Sequence, residues 1–241
     1  MKKKRKSLFN GDRNERYDYI VTKEQPLSYV TESFQKAIIN LEYTNVDGNI
    51  KVIQFTSALA AEGKTTFIAN FGYLFATKGK KVCLLDLDLR KPKLHRVFSV
   101  PNQLGLNDYL TNKISKEELI RHSDSLLMDF IVTGEKTTAI TNILEAQKLK
   151  ELILDLKKSY DYVLIDTPPV IAVSDALYVS KLADGVVFIV AQDIAKKQIV
   201  KEAVNTLKKS DIRILGTVLT QVSLKHGEYG YGYDYSYKYE E

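Results

Sequence analysis

Ala58 to Thr66 read Ala-Leu-Ala-Ala-Glu-Gly-Lys-Thr-Thr, between the apolar run Val52, Ile53, Phe55 and a helix-like pattern of Phe67, Ile68, Phe71, Leu74 and Phe75. That is the chemistry of a phosphate cradle. Gly63 lets backbone N–H groups approach phosphate oxygens, Lys64 supplies positive charge for β- and γ-phosphates, and Thr65 offers a hydroxyl to Mg²⁺. A helix starting here turns its positive dipole end toward the anion. Against the pattern G-x-x-x-x-G-K-[ST] the first position is Ala58, so the loop taken alone also fits an ordinary strand-to-helix turn bearing a surface lysine.

Two carboxylate stretches weigh against that plainer reading. Val82 to Leu87 form an apolar run that ends in Asp86-Leu87-Asp88-Leu89-Arg90, and Tyr162 to Ile165 deliver Asp166-Thr167-Pro168-Pro169. Each places acidic residues at the carboxyl end of a buried strand, the edge where ligands gather in open parallel sheets. The prolines stop the second strand. Strands at 82–87, 126–133, 160–166, 185–191 and 212–219 alternate with helical patterns at 142–158, 174–183 and 196–210, with short helices around 104–110 and 116–120. The expected fold is α/β, a P-loop nucleotide-binding architecture with a mainly parallel sheet covered by helices on both faces.

The 241 residues, 44% hydrophobic and 27% charged, suit one α/β domain with a substantial core. The expected organisation is a basic flexible arm at 1–26, a P-loop domain at 27–227 and a flexible tail at 228–241. A helix over Leu27 to Tyr43, capped by Ser28 or Thr31, precedes the core. Cys83 sits in an apolar run and reads as a core thiol, so a reducing compartment is expected. The net charge of +5 equals the contribution of Lys2, Lys3, Lys4, Arg5 and Lys6. That run fits attraction to anionic lipid or an acidic partner segment, and equally a solvated chain end. It carries no nucleic-acid recognition motif, so no specific nucleic acid is expected. No apolar segment reaches the length of a signal peptide or membrane span, so a cytoplasmic location is expected. In the tail, tyrosines stand at every second position from Tyr229 to Tyr239, separated by small or polar residues.

Together these stretches resemble the bacterial protein-tyrosine kinases of capsule and exopolysaccharide biosynthesis, specifically the cytoplasmic component that works with a separate membrane activator. Glu62-Gly63-Lys64-Thr65-Thr66 matches the Walker A core, Leu84 to Pro92 the family's second Walker A′ motif, and Val163 to Pro169 Walker B. The resemblance implies ATP and Mg²⁺ as cofactors. It implies catalytic roles for Lys64, Asp86, Asp88 and Asp166, nucleotide contacts from Glu62, Gly63, Lys64, Thr65, Thr66 and Arg90, and metal contacts from Thr65, Asp86, Asp88 and Asp166. Asp86 takes the base-like role in this scheme. Tyr229, Tyr231, Tyr233, Tyr235, Tyr237 and Tyr239 become the phosphorylation sites, presented to a neighbouring subunit of a homo-oligomer in a cycle that regulates polysaccharide polymerisation and export. Implied partners are the cytoplasmic tail of a membrane activator or polysaccharide co-polymerase, which recruits the kinase to the inner face of the membrane, and a tyrosine phosphatase.

Several positions depart from the family pattern. Ala60-Ala61 replaces the common Pro-Gly, which stiffens the loop or alters its approach to phosphate. Glu32 is followed by Gln35 and Ile38 where the ring-forming helix usually carries two arginines. Thr137 to Glu145 lacks the usual prolines, and Thr220 stands where asparagine often lies near adenine. The competing reading is a MinD- or ParA-like ATPase that cycles on a membrane or nucleoid without phosphorylating protein. Those proteins usually carry a signature lysine at the position of Leu59. An iron-sulfur relative is disfavoured by the single cysteine.

Overall fold

The computed structural model describes residues 19–223; the basic run 2–6 and the tail tyrosines lie outside the described residues. In chain order the elements are α1 (Val21–Glu24), α2 (Tyr29–Thr44), β1 (Val52–Ser57), α3 (Lys64–Thr77), β2 (Val82–Asp86), α4 (Leu94–Val97), α5 (Leu106–Leu110) and α6 (Lys116–Leu119). There follow β3 (Arg121–Ser123), β4 (Met128–Ile131), α7 (Ile140–Glu145), α8 (Gln147–Ser159), β5 (Tyr162–Asp166), α9 (Asp175–Ser180), β6 (Gly185–Ala191), α10 (Lys197–Lys209) and β7 (Ile214–Thr220). The strands form one sheet in the order β3-β4-β2-β5-β1-β6-β7. Every pairing is parallel except β3 with β4, so the expected mainly parallel sheet is what forms.

β1, β2 and β5 are buried along their whole length, as continuous apolar strands covered on both faces must be. On one face α2 and α3 pack an aromatic series: Phe34 stacks on Phe67 at 5.0 Å, Phe67 on Phe71 at 5.2 Å, and Phe75 on Tyr162 at 4.1 Å. Burying side chains of this size contributes about 1.5–3 kcal/mol each. On the other face α8 lays Leu149, Leu152, Ile153 and Leu156 against Val52, Cys83, Leu85 and Val163. Burial pushes the Cys83 thiol well above its ordinary range, consistent with its reading as a core group.

The structure corrects three expectations. The segment from Tyr19 to Gln25, assigned to the arm, is fastened to the core: Ile20 is buried, and Thr22 donates both its N–H (2.9 Å) and its hydroxyl (3.0 Å) to the side chain of Asn70 on α3. The helix expected over 142–158 breaks at Ala146, which is extended at φ −61°, ψ 130°. A continuous helix would set Leu144 and Leu149 about 140° apart around its axis; the break lets both face one core. The strand expected over 126–133 forms over only its middle, as β4, and β3 before it, which was not expected, pairs with it as an antiparallel edge, with His122 Nδ1 and Asp129 Oδ1 at 2.6 Å. Ser28 caps α2 as anticipated, accepting from the Thr31 N–H.

Gly105 fastens the segment before α5 to the end of β4. A Cβ there would lie 2.2 Å from the Gly134 nitrogen and 2.4 Å from the Val132 oxygen, both backbone atoms that cannot step aside. Gly105→Ala is expected to destabilise the fold by about 3 kcal/mol, a fall in Tm of about 10 °C for a domain of this size. A thermal melt checks it, and an unchanged Tm would mean the 102–107 strap packs differently.

Candidate active site

Three carboxyl ends meet at one edge of the sheet. β1 leads into the loop 58–63, and β2 and β5 end in Asp86 and Asp166, which are register partners. Gly63 at φ +85° is the hinge between loop and α3, a conformation that costs an L-residue about 1–2 kcal/mol. Its geometry brings Lys64, Thr65 and Thr66 onto the first turn of α3. Lys64 is only 8% exposed, and its Nζ donates to Ser57 Oγ at 3.1 Å. The Thr65 hydroxyl donates to Asp166 Oδ2 at 2.5 Å. Thr66 is exposed at the helix start.

The two aspartates differ in their surroundings. Asp86 is fully buried and accepts three backbone N–H groups, from Asp88 (3.1 Å), Lys93 (3.1 Å) and Leu94 (3.0 Å). It is the anchor of the loop between β2 and α4. Burial first, and then the Asp166 charge, push its carboxyl well above the usual range. Asp166 is 2% exposed, and burial pushes it up to about 6 against the downward pulls of Lys64 and Thr65. Its Oδ1 is buried and has no hydrogen-bond partner among the described residues. Asp88 is half-buried, with one oxygen on the Lys91 N–H.

Other expected contacts land elsewhere. Arg90 makes a bidentate pair with Asp175 at 2.7 and 3.0 Å, which ties the Walker A′ loop to α9. The Glu62 carboxylate turns into the protein, accepting from the Leu59 N–H, so only its backbone faces the loop. Ile38 is fully buried in the α2–α3 core and unable to serve an outer contact.

The end of β7 also belongs to the site: Thr220, flagged in the sequence for its place near adenine, reaches the phosphate loop, and Gln221 beside it was not anticipated. Thr220 Oγ1 donates to the Glu62 carbonyl and Gln221 Nε2 to the Ala61 carbonyl, both at 2.8 Å. These two bonds hold a strained loop, because Ala61 sits at φ +64° where the family commonly has glycine. Ser57 and Asp175 were likewise missed; the only cue to Ser57 is its place just before the loop. Thr220→Val keeps the shape and removes the donor. It is expected to weaken nucleotide binding about tenfold, the cost of one unsatisfied carbonyl. Titration with a fluorescent ATP analogue checks this, and unchanged affinity would show that the loop holds its form unaided.

Among the described residues, no three or more His, Cys, Asp or Glu side chains form a metal cage. Mg²⁺ commonly takes one or two carboxylates, with waters and phosphates completing its shell. The unpaired Asp166 Oδ1 beside Thr65, the raised Asp166 pKa and the lysine slot together fit a metal-bound nucleoside triphosphate.

Residues 50–215 match the family model described as AAA domain. The tyrosine-protein kinase YwqD of Bacillus subtilis is 34% identical over 88% of this chain and 90% of its own. The kinase domain of the Escherichia coli tyrosine kinase ETK superposes with a TM-score of 0.80 at 25% identity, covering 89% of this chain and 85% of that one. MinD of Pyrococcus horikoshii, solved with Mg-ADP, is a more distant likeness, with a TM-score of 0.60 at 26% identity over 70% of this chain and 69% of that one. The P-loop fold is common to all of them, whereas the likeness over nearly the full length of both chains is to the kinases, so the chain belongs to the family of bacterial tyrosine-protein kinases.

Proposed function

We propose that the chain transfers the γ-phosphoryl group of ATP, with Mg²⁺, to the tyrosines of the 229–239 tail of a neighbouring copy, and that this cycle regulates the making and export of a capsular or extracellular polysaccharide. The carrying observation is the meeting of Lys64, Thr65, Asp166 and the Asp86–Asp88 loop at one sheet edge, in a chain whose relatives are named tyrosine-protein kinases. The bond broken joins the β–γ bridging oxygen to the γ-phosphorus; the bond formed joins that phosphorus to the tyrosine oxygen. The products are ADP and phosphotyrosine.

Phosphoryl transfer needs positioning and charge neutralisation more than covalent help. Backbone N–H groups of residues 61–65 and the Lys64 ammonium would hold the β- and γ-phosphates. Thr65 and Asp166 would hold the metal, directly or through water, and when bound it neutralises charge on the phosphates. Asp86 keeps the 87–94 loop in shape, and its enclosed carboxylate leaves the half-buried Asp88 as the group open to an incoming phenol. We therefore shift the orienting contact from Asp86 to Asp88. A phenol with pKa near 10 is not fully deprotonated in advance by a carboxylate, which is a far weaker base than phenolate, so the proton leaves late and passes to solvent. Arg90, held by Asp175, supports the loop.

No helix among the described residues is long and apolar enough to cross a membrane. In this reading a membrane-bound activator recruits the kinase to the inner face of the membrane, and a tyrosine phosphatase resets the tail. Each phosphate adds about 1.5–2 negative charges, so a heavily phosphorylated tail repels its neighbours.

The deciding experiment is intact-mass spectrometry after incubation with Mg-ATP, with and without the activator's cytoplasmic tail. Several phosphates mapping to Tyr229–Tyr239, lost on tail deletion, establish the reading. ATP hydrolysis without protein phosphate, even with activator present, points instead to a cycling ATPase of the MinD type.

A further inference from the structure

The amino-terminal edge of the sheet lies opposite the active site and is strongly cationic. Lys51 immediately precedes β1, Lys80 and Lys81 precede β2, and Arg213 precedes β7. The helices returning to that edge add Lys157 and Lys158 at the end of α8 and Lys208 and Lys209 at the end of α10. Lys78 follows α3, and Lys181 follows α9. Against these ten cations stand Asp47, Asp161, Asp184 and Asp211, together with Asp155, which pairs with Lys158, Asp129, which accepts from the Tyr160 hydroxyl, and Glu42, which lies close to Tyr162. Several of these are already engaged. Asp184 accepts the Lys51 and Val52 N–H groups and pairs with Lys157, and Asp161 accepts the Lys81 N–H.

Residues 19–223 hold 26 Lys and Arg against 23 Asp and Glu, so this one edge, with ten cations against seven carboxylates, carries the positive excess and the rest is balanced. Lysines at helix ends complement the macrodipole, which accounts for α8 and α10. It does not account for Lys51, Lys80, Lys81 and Arg213, which open strands. Contacts confirm that the residues share an edge: Lys51 Nζ donates to the Tyr160 carbonyl, Asp161 N to the Lys81 carbonyl, and Val186 N to the Arg213 carbonyl.

We propose that this edge rests on an anionic phospholipid surface, with the nucleotide site turned away from the bilayer. The cations follow α3 on one face of the sheet and end α8 and α10 on the other, so they spread through all three layers. They cover five parallel strands, about 19 Å at ordinary strand spacing. A broad face suits a lipid surface, whereas an acidic peptide asks for a single groove. An open depression of about 430 Å³, lined by Gly48, Lys51, Lys157, Asp184 and Arg213, sits within the edge and is large enough for a phosphate headgroup. This goes beyond recruitment through a protein activator and is independent of which tyrosine accepts phosphate.

The test is flotation of the full chain, without activator, on vesicles of phosphatidylcholine with 30% phosphatidylglycerol. The chain is expected to float with these vesicles, to stay behind with pure phosphatidylcholine, and to detach in 1 M NaCl, where the Debye length is about 3 Å. The neutralised variant Lys80→Gln/Lys81→Gln/Arg213→Gln should partition about 100-fold more weakly, from about fivefold for each cation lost near a charged membrane. Lys196→Gln/Lys197→Gln/Lys201→Gln, at the start of α10 toward the opposite edge, should remain within threefold of the parent. ATP-analogue binding and circular dichroism should match the parent in both. Equal losses in the two triples would overturn the proposal by reducing it to net charge. Loss on deleting residues 2–6 with the basal triple unaffected would assign attraction to the basic run instead. Capture by polyglutamate but not vesicles would replace the bilayer with an acidic protein partner, and no flotation at all would also sink it. Should the basal triple misfold, Lys81→Gln and Arg213→Gln singly, each expected to be about fivefold weaker, decide the matter.

Discussion

Lys64→Met is expected to lower autophosphorylation at least about 10³-fold while leaving the fold intact. Removing one preorganised neutral donor from a developing charge costs about 10²–10³ in rate, and Lys64 contributes a full charge from a slot only 8% open to water. Its stem is packed at the first turn of α3, and Met reproduces that stem, so the loss falls on charge rather than on packing. Ser57 Oγ would lose its Nζ contact but still donates to the Leu59 carbonyl at 2.6 Å, so no buried donor is stranded. Single-turnover phosphorylation read by intact mass, beside a thermal melt, separates the two effects. Retention of a tenth of parental activity would remove Lys64 from the phosphate site.

Asp166→Asn is expected to abolish transfer yet raise the Tm of the nucleotide-free chain. Burial lifts the Asp166 carboxyl to about 6, whereas an unfolded aspartate titrates near 3.8. Between those values the folded state binds more protons, so the native chain gains stability as pH falls from above 6 toward 4. At pH 8 the folded state carries the full cost of that buried charge, about 3 kcal/mol from a shift of roughly two units. The amide removes the charge and can still accept from Thr65. Its N–H₂ replaces the unpaired Oδ1, and a buried amide left unpaired costs about 1–2 kcal/mol. The net expectation is about 1–2 kcal/mol of added stability at pH 8, a rise in Tm of about 2–8 °C, shrinking as pH approaches 4. Melts at pH 8 and pH 5 test the sign. A variant less stable than the parent at pH 8 would show that Asp166 is stabilised by partners beyond Thr65 and Lys64.

The two variants test different halves of one device. Lys64 supplies charge that phosphate needs, and Asp166 stores a cost that a metal would relieve. A site that destabilises its own fold for the sake of its ligand is a common result of selection for function.

Much of this was legible in the chain. Continuous apolar runs closed by aspartates gave β2 and β5 to within a residue or two, because strands buried on both faces leave a local signature. Asp86, Asp88 and Asp166 followed from position at the ends of those strands and Lys64 and Thr65 from the phosphate-loop pattern after β1, and the structure brings all five to one edge. Less was legible where a local pattern admitted two solutions. The apolar positions from Ile143 to Leu156 fit one helix, and only the demand that Leu144 and Leu149 share a core breaks it at Ala146. The segment at 19–25 lacked periodicity because a four-residue helix has none to show, yet Ile20 and Thr22 lock it to α3.

By itself, then, the sequence determined the fold class, the main alternation of strands and helices along the chain, and which residue types reach the catalytic edge; these are written in periodicities of a few residues. Tertiary structure alone decided the roles within that edge. The enclosure of Asp86 by three N–H groups, the diversion of Arg90 to Asp175, and the fastening of the phosphate loop by Thr220 and Gln221 across 158 and 160 residues depend on which strands lie side by side. The same holds for the segregation of cations to the far edge, since ten residues scattered from 51 to 213 become neighbours only when every parallel strand begins on the same side. Hydrogen bonds and charge act over a few ångströms of space, and no local pattern records what long-range packing brings within that reach.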